Sequence, residues 1–220
     1  MQSIYITNNT SSKQNFSTFD KYLIKEKIIN ETNLNLYSFF TKNNNSIYNQ
    51  NDNFVTNLGS IFYKNNFNRE ANKLILNEIE KGKELSEILN DSQISGQFVL
   101  IIYFNKNLFL CTDRLGYYPL YIYKKDQIVS ISNSFLLLAI NNKSTLNYLG
   151  ISQYLSENYR YITYACCNEN ITNEIKYFEP GTIYSLNNNK LDIKKYYNIK
   201  ENLEFGKYNN FKEIVHTGTE

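Results

Sequence analysis

A chain of 220 residues with 42% hydrophobic and 15% aromatic side chains can bury a sizeable core, and its 20 Tyr and 14 Phe exclude a disordered polypeptide. A formal net charge of +2 gives no electrostatic case for nucleic acid or an anionic membrane, and no apolar run approaches the roughly 18 residues of a membrane span. Three Cys, two of them adjacent, speak against a disulfide framework and for a reducing cytoplasm, and Met1-Gln2-Ser3-Ile4 lacks the basic start and apolar run of a signal peptide.

Ser3 to Thr7 alternates polar and apolar residues and predicts an opening strand, followed by a polar loop over Asn8 to Phe19. Tyr22 to Ile29 suits a short strand or a helix equally well, whereas Leu34 to Phe40 reads as a strand. Thr41 to Asn53 is polar and reads as a mobile connection. Phe54 to Tyr63 predicts a strand pair or a bulged strand, with Gly59 where backbone must come close to something. Ala71, Leu74, Ile75 and Ile79 recur at three- and four-residue steps, so Arg69 to Leu89 is helical, broken at Gly82. Phe98 to Phe104 and Leu108 to Cys111 flank Asn105-Lys106-Asn107 and predict a β-hairpin. A third run, Pro119 to Tyr123, follows a bend built on Gly116 and Pro119. Asn133 is the expected N-cap of a helix over Phe135 to Ile140, and Leu149 to Leu155 reads as another helix. Tyr159 to Cys167 is irregular, and Ile183 to Leu186 with Leu191 to Tyr197 predicts a late hairpin across Asn187-Asn188-Asn189. Asn198 to Glu220 is a polar tail or linker.

Few residues invite chemistry. Asp113 and Arg114, wedged among apolar strands, are expected to tie a turn together through hydrogen bonds rather than to catalyse. Cys111 lies in an apolar strand and reads as a core thiol. Cys166-Cys167 has neither C-x-x-C spacing nor a nearby His, so no metal site is expected, and the single histidine, His216, sits in the polar tail. No Gly-rich phosphate loop is present, and no cofactor is expected.

Thr112-Asp113-Arg114-Leu115-Gly116-Tyr117-Tyr118-Pro119-Leu120-Tyr121 resembles the R-D-R-x-G-x-x-P-L-Y-Y signature of the N-terminal glutaminase-like domain of asparagine synthetases, β-lactam synthetases and lasso-peptide cyclases, matching it at Asp113, Arg114, Gly116, Pro119, Leu120 and Tyr121. Ser95-Gly96-Gln97-Phe98 resembles the family's D-G-x-F strand start, Phe178-Glu179-Pro180-Gly181 its L-x-P-G turn, and Lys195-Tyr196-Tyr197 its closing Y-W. The likeness runs from about Phe54 to Tyr197. It implies an α+β fold of the Ntn-hydrolase type. In that four-layer αββα sandwich two antiparallel sheets pack face to face with helices outside. Residues 1–197 would form the domain, and 198–220 a tail or truncated linker to an absent synthetase domain.

The resemblance also says which chemistry to look for. The family's glutaminase attacks the glutamine amide with a cysteine directly after the initiator Met. Gln2 stands there in this sequence, and Ser3 could serve only after two residues were lost. Aligned on Gly59, the family's substrate-handling Asn and Glu become Leu58 and Ser60, and the Asp of D-G-x-F, before Gly96, becomes Ser95. No R-G-P-D segment is recognisable, nor the S-G-G-x-D-S loop of the synthetase domain. The expectation is a degenerate, non-catalytic domain, a scaffold for an ATP-dependent amide-forming synthetase domain supplied elsewhere or lost by truncation. Two alternatives stand beside it: part of an active asparagine synthase-like or macrolactam- or β-lactam-forming ligase, and a small-molecule binding module. The expected partners are a synthetase domain or a second copy of the chain, with neither nucleic acid nor membrane.

Overall fold

A computed structural model of the chain describes residues 3–8, 24–27, 35–40, 46–155, 170–187 and 190–198. The readings made above for Gln2, for most of the Asn8 to Phe19 loop, for Tyr159 to Cys167, for His216 and for nearly all of the tail lie outside these residues.

The chain opens with β1 (Ser3–Thr7), β2 (Ile24–Lys27), β3 (Asn35–Phe40), β4 (Tyr48–Gln50), β5 (Asn53–Tyr63) and β6 (Asn66–Phe67). Helices α1 (Arg69–Glu80) and α2 (Leu85–Asn90) follow, then β7 (Ile94–Phe104), β8 (Asn107–Thr112), β9 (Tyr121–Lys125) and β10 (Ile128–Ser132). The series closes with α3 (Phe135–Asn142), α4 (Tyr148–Leu155), β11 (Ile175–Tyr177), β12 (Thr182–Asn187) and β13 (Lys190–Lys195). Among the described residues the strands form two antiparallel sheets. The first runs β11-β9-β10-β1-β3-β2; the second runs β13-β12-β8-β7-β5-β4, with β6 beside β5.

Alternation along each strand builds the layers, because successive side chains point to opposite faces. On β5 and β7, Phe54, Leu58, Val99, Ile101 and Tyr103 meet Ile4, Ile6, Val129 and Ile131 of the first sheet in a shared core. The residues between them, Val55, Ile61, Leu100 and Ile102, turn to the other face and pack on Ala71, Ile75, Leu76, Ile88 and Leu89 of α1 and α2. On the far side of the first sheet, Tyr5, Tyr123 and Ile175 pack on Leu137 and Leu138 of α3. Helix, sheet, sheet and helix are thus stacked in the order the resemblance implied. Among the described residues no helix is long and apolar enough to cross a membrane.

The turns follow from local chemistry. Asn105 and Lys106 both take positive φ (48° and 64°) between the paired residues Phe104 and Asn107, the two-residue turn whose twist matches the strands it joins. Gly82 has φ +88° where α1 ends.

Several expectations need correction. Phe54 to Tyr63 is neither a strand pair nor a bulge, since every residue pairs one to one with Tyr103 to Ile94 across β7. Part of the polar stretch read as a mobile connection is strand: Tyr48-Asn49-Gln50 pairs with Val55-Phe54-Asn53 across a turn in which Asn51 takes φ 53°. The cap of α3 is Ser134, whose hydroxyl accepts from the Leu137 N–H at 3.4 Å, because the Asn133 amide is engaged by the first strand. Tyr22 to Ile29 resolves as a strand over Ile24–Lys27, and β6 and β11 are strands that periodicity does not reveal.

Candidate functional site

The five positions matched to the family's substrate-handling residues come together on one stretch of ladder. Leu58 pairs with Val99, Gly59 with Phe98, Ser60 with Gln97, Ile61 with Gly96 and Phe62 with Ser95. Leu58 is buried in the core between the sheets, while Ser60, Ser95 and Gly96 are exposed. The face that carries Leu58 inward therefore continues through Ser60 and Phe62 beyond the cover of the first sheet. There Phe62 and Phe67, each about half exposed, pack with ring centroids 4.7 Å apart and planes tilted by 40°.

Two glycines allow the strands to approach at this mouth. Gly59 and Gly96 have φ +78° and +125°, and a Cβ on Gly59 would lie 2.1 Å from the Gln97 carbonyl oxygen. A Cβ on Gly96 would lie equally close to the Ser60 carbonyl oxygen, 2.1 Å away. No side chain fits at either point without moving backbone. Buried Asn57 fixes the local course, its side-chain amide donating to the Gly59 carbonyl at 2.9 Å. Asn72 on α1 donates in turn to Asn57 Oδ1 at 2.8 Å, and Asn68 Oδ1 accepts from the Ile61 N–H at 3.1 Å. Sequence reasoning passed over this network, although Asn68 and Asn72, one helical turn apart, were its signal.

Opposite Gly59 stands a residue that sequence reasoning did not single out. The ring of Tyr118 fills the space a Gly59 side chain would need, with Cδ2 2.8 Å from the position of a Cβ. The ring packs against the inter-sheet core, and its hydroxyl shares a hydrogen bond with the Asn133 side chain. Burial pushes the Tyr118 phenol up, and the Asn133 bond offsets part of that rise. Asn133 Oδ1 also accepts from the Ser3 hydroxyl at 3.0 Å and from the Ile4 N–H at 2.9 Å. A single amide thus joins the crevice to the start of β1, where Ser3 is buried.

Asp113 and Arg114 do not pair with one another; each binds backbone. The buried Asp113 carboxylate accepts from the N–H groups of Leu115 (3.0 Å), Tyr117 (3.2 Å), Tyr118 (3.3 Å) and Phe98 (3.3 Å). Arg114 reaches across to the end of α2, donating to the carbonyls of Leu89 (3.2 Å) and Asp91 (2.9 Å), and lies 5.5 Å from the Tyr197 ring centroid. Gly116, at φ +65°, lies against Pro180, and Pro119 leads exposed into buried Leu120. Cys111 is fully buried, and burial pushes its thiol well up, away from the thiolate that reacts. Among the described residues no group of three or more His, Cys, Asp or Glu side chains could hold a metal ion. A cavity of about 330 Å³ opens elsewhere, between the start of α2 and the outer face of β8, β12 and β13.

The sequence model of the family described as "glutamine amidotransferase domain" matches residues 40–197. No curated protein sequence matches the chain. Among solved structures, one similar chain is the glutamine phosphoribosylpyrophosphate amidotransferase from B. subtilis complexed with ADP and GMP. It is 9% identical, with a TM-score of 0.40, over 74% of this chain and 35% of that one. A second, described as the allosteric regulatory enzyme of purine biosynthesis, is 9% identical, with a TM-score of 0.42, over 89% of this chain and 43% of that one. The chain thus corresponds to less than half the length of either.

Proposed function

The chain belongs to the glutamine amidotransferase domain family, and on that premise we propose that this member does not hydrolyse glutamine. It serves instead as the scaffold of an asparagine synthetase-related, ATP-dependent amide-forming system. Residues 1–197 form the docking domain, and the stretch from 198 onward leads towards the synthetase domain, whether on the same polypeptide or another. The observation that carries this reading is at the start of β1. The Ser3 hydroxyl is buried with its proton directed at the Asn133 amide oxygen. An amide oxygen does not accept a proton as a general base does, so Ser3 lacks the activation that a hydroxyl nucleophile requires. Leu58, Ser60 and Ser95 also supply no charge to grip a substrate ammonium or carboxylate. The kinship with asparagine synthetases in particular rests on the signature from Asp113 to Tyr121.

The expected outcome is no ammonia release from glutamine above a heat-treated blank, read by coupled NADH oxidation. A glutamine-dependent rate that disappears in Ser3→Ala would overturn the reading. Co-expression with the synthetase-domain protein encoded nearest to it, one carrying an S-G-G-x-D-S loop, should yield a co-purifying complex. Separate elution of the two at micromolar concentration would remove the scaffold role.

A further inference from the structure

Taking the crevice at Gly59 as the family's substrate site, which rests on the reading above, we propose that Tyr118 is its built-in occupant and that a neutral phenol takes the same seat when that side chain is removed. The seat has the form of a small-molecule site, apolar walls with a polar group at the far end. The inter-sheet core supplies the apolar side, the Gly59 backbone supplies the floor against which the ring lies, and the Asn133 side chain meets the hydroxyl. None of these groups is charged, so a charged ligand would lose its hydration without a partner.

The backbone behind the ring is fixed. The Tyr118 N–H donates to Asp113 Oδ2 at 3.3 Å, and Pro119 follows with its φ locked. Only rotation of the side chain can empty the seat, and such rotation leaves the Asp113 turn in place. The ligand class that competes with Tyr118 is therefore a flat, uncharged six-membered ring with one hydroxyl or carboxamide opposite its point of attachment.

The test uses the full chain carrying Tyr118→Ala, with 4-methylphenol as probe and benzoate as its charged counterpart. Ten times its dissociation constant of 4-methylphenol should raise the melting midpoint of Y118A by about 3–6 °C, leaving the parent and Y118F unmoved. Should Y118A be unfolded alone, recovery of its circular dichroism spectrum on refolding with 4-methylphenol reads the same binding. No response of Y118A in either assay, an equal response in the parent, or an equal response to benzoate would each overturn the proposal. Glutamine hydrolysis by the parent chain would sink the functional reading above while leaving this result standing.

Discussion

Two neighbouring regions of the second sheet treat polar groups in opposite ways. Around Asp113 a buried carboxylate receives four backbone N–H groups, and its neighbour Arg114 closes the end of α2. Around Gly59, a few residues away in space, the positions matched to an Asn, a Glu and an Asp are held by Leu58, Ser60 and Ser95, and the Tyr118 ring lies against the Gly59 backbone. The first region is part of the folding problem: without the carboxylate, four N–H groups would lose their acceptor. The second is not. Its exposed positions face solvent at the sheet's overhang, so they can change without disturbing the core. Buried framework and exposed positions are separable here, and the line between them runs between Asp113 and Ser95.

The contrast can be broken at four points. Asp113→Ala should cost about 3 kcal/mol, since it strands the buried Phe98 N–H and three part-buried donors at once, and urea denaturation at pH 7 measures it. A loss below 1 kcal/mol would mean that water or a neighbour replaces the carboxylate and that the turn is no more demanding than the crevice. Gly59→Ala should cost about 2–4 kcal/mol, because the φ is unfavourable and the added carbon meets backbone rather than a movable side chain. Here the crevice keeps one strict requirement, that of backbone geometry.

A third point lies behind the mouth, on its helix side. Glu78 of α1 binds Lys64, Lys83 at 3.1 Å and the Tyr63 hydroxyl at 2.5 Å. Burial alone would raise the Glu78 carboxyl, but hydrogen bonds from Lys64, Tyr63 and Lys83 outweigh it and bring the pKa down to about 2. A folded-state value below the ordinary 4.5 means stability fully present above about pH 4.5 and lost as pH falls through about 2. Urea midpoints between pH 5 and 2 should therefore fall more steeply for the parent than for Glu78→Gln, and parallel curves would remove the clasp from the comparison. The smallest effect belongs to Ser95→Asp, which restores the family's charge at an exposed position. Its stability should change by no more than about 0.5 kcal/mol, and it should gain no ammonia release.

The sequence made some of this legible and hid the rest for physical reasons. The β7-β8 hairpin and α1 could be read because their apolar patterns, broken by turn formers, permit few other solutions, whereas the two stacked sheets were legible only through the resemblance carried by Asp113 to Tyr121. Strand β4 could not, because Tyr48-Asn49-Gln50 carries no apolar alternation and becomes strand only through a ladder that β5 imposes. Ser134 rather than Asn133 caps α3 because a contact 129 residues away in sequence, with Ile4, claims the asparagine. The place of Tyr118 escaped notice for the same reason: its partner Gly59 is adjacent only after the sheets are stacked. Leu58, Ser60 and Ser95 were legible as departures from a motif, and what fills the space they leave was not.

The closing residues of the domain bear on how it would transmit force. Tyr196 sends its hydroxyl to the Thr112 carbonyl at 2.7 Å, its own carbonyl accepts from Asn90 at 2.9 Å, and the N–H groups of Tyr196 and Tyr197 both reach the Gly181 carbonyl. A tug on any tether attached beyond Asn198 must rupture this knot before β13 can be unzipped from β12. The load therefore arrives at the centre of the second sheet, beside the Asp113 turn, and spares the edge strand.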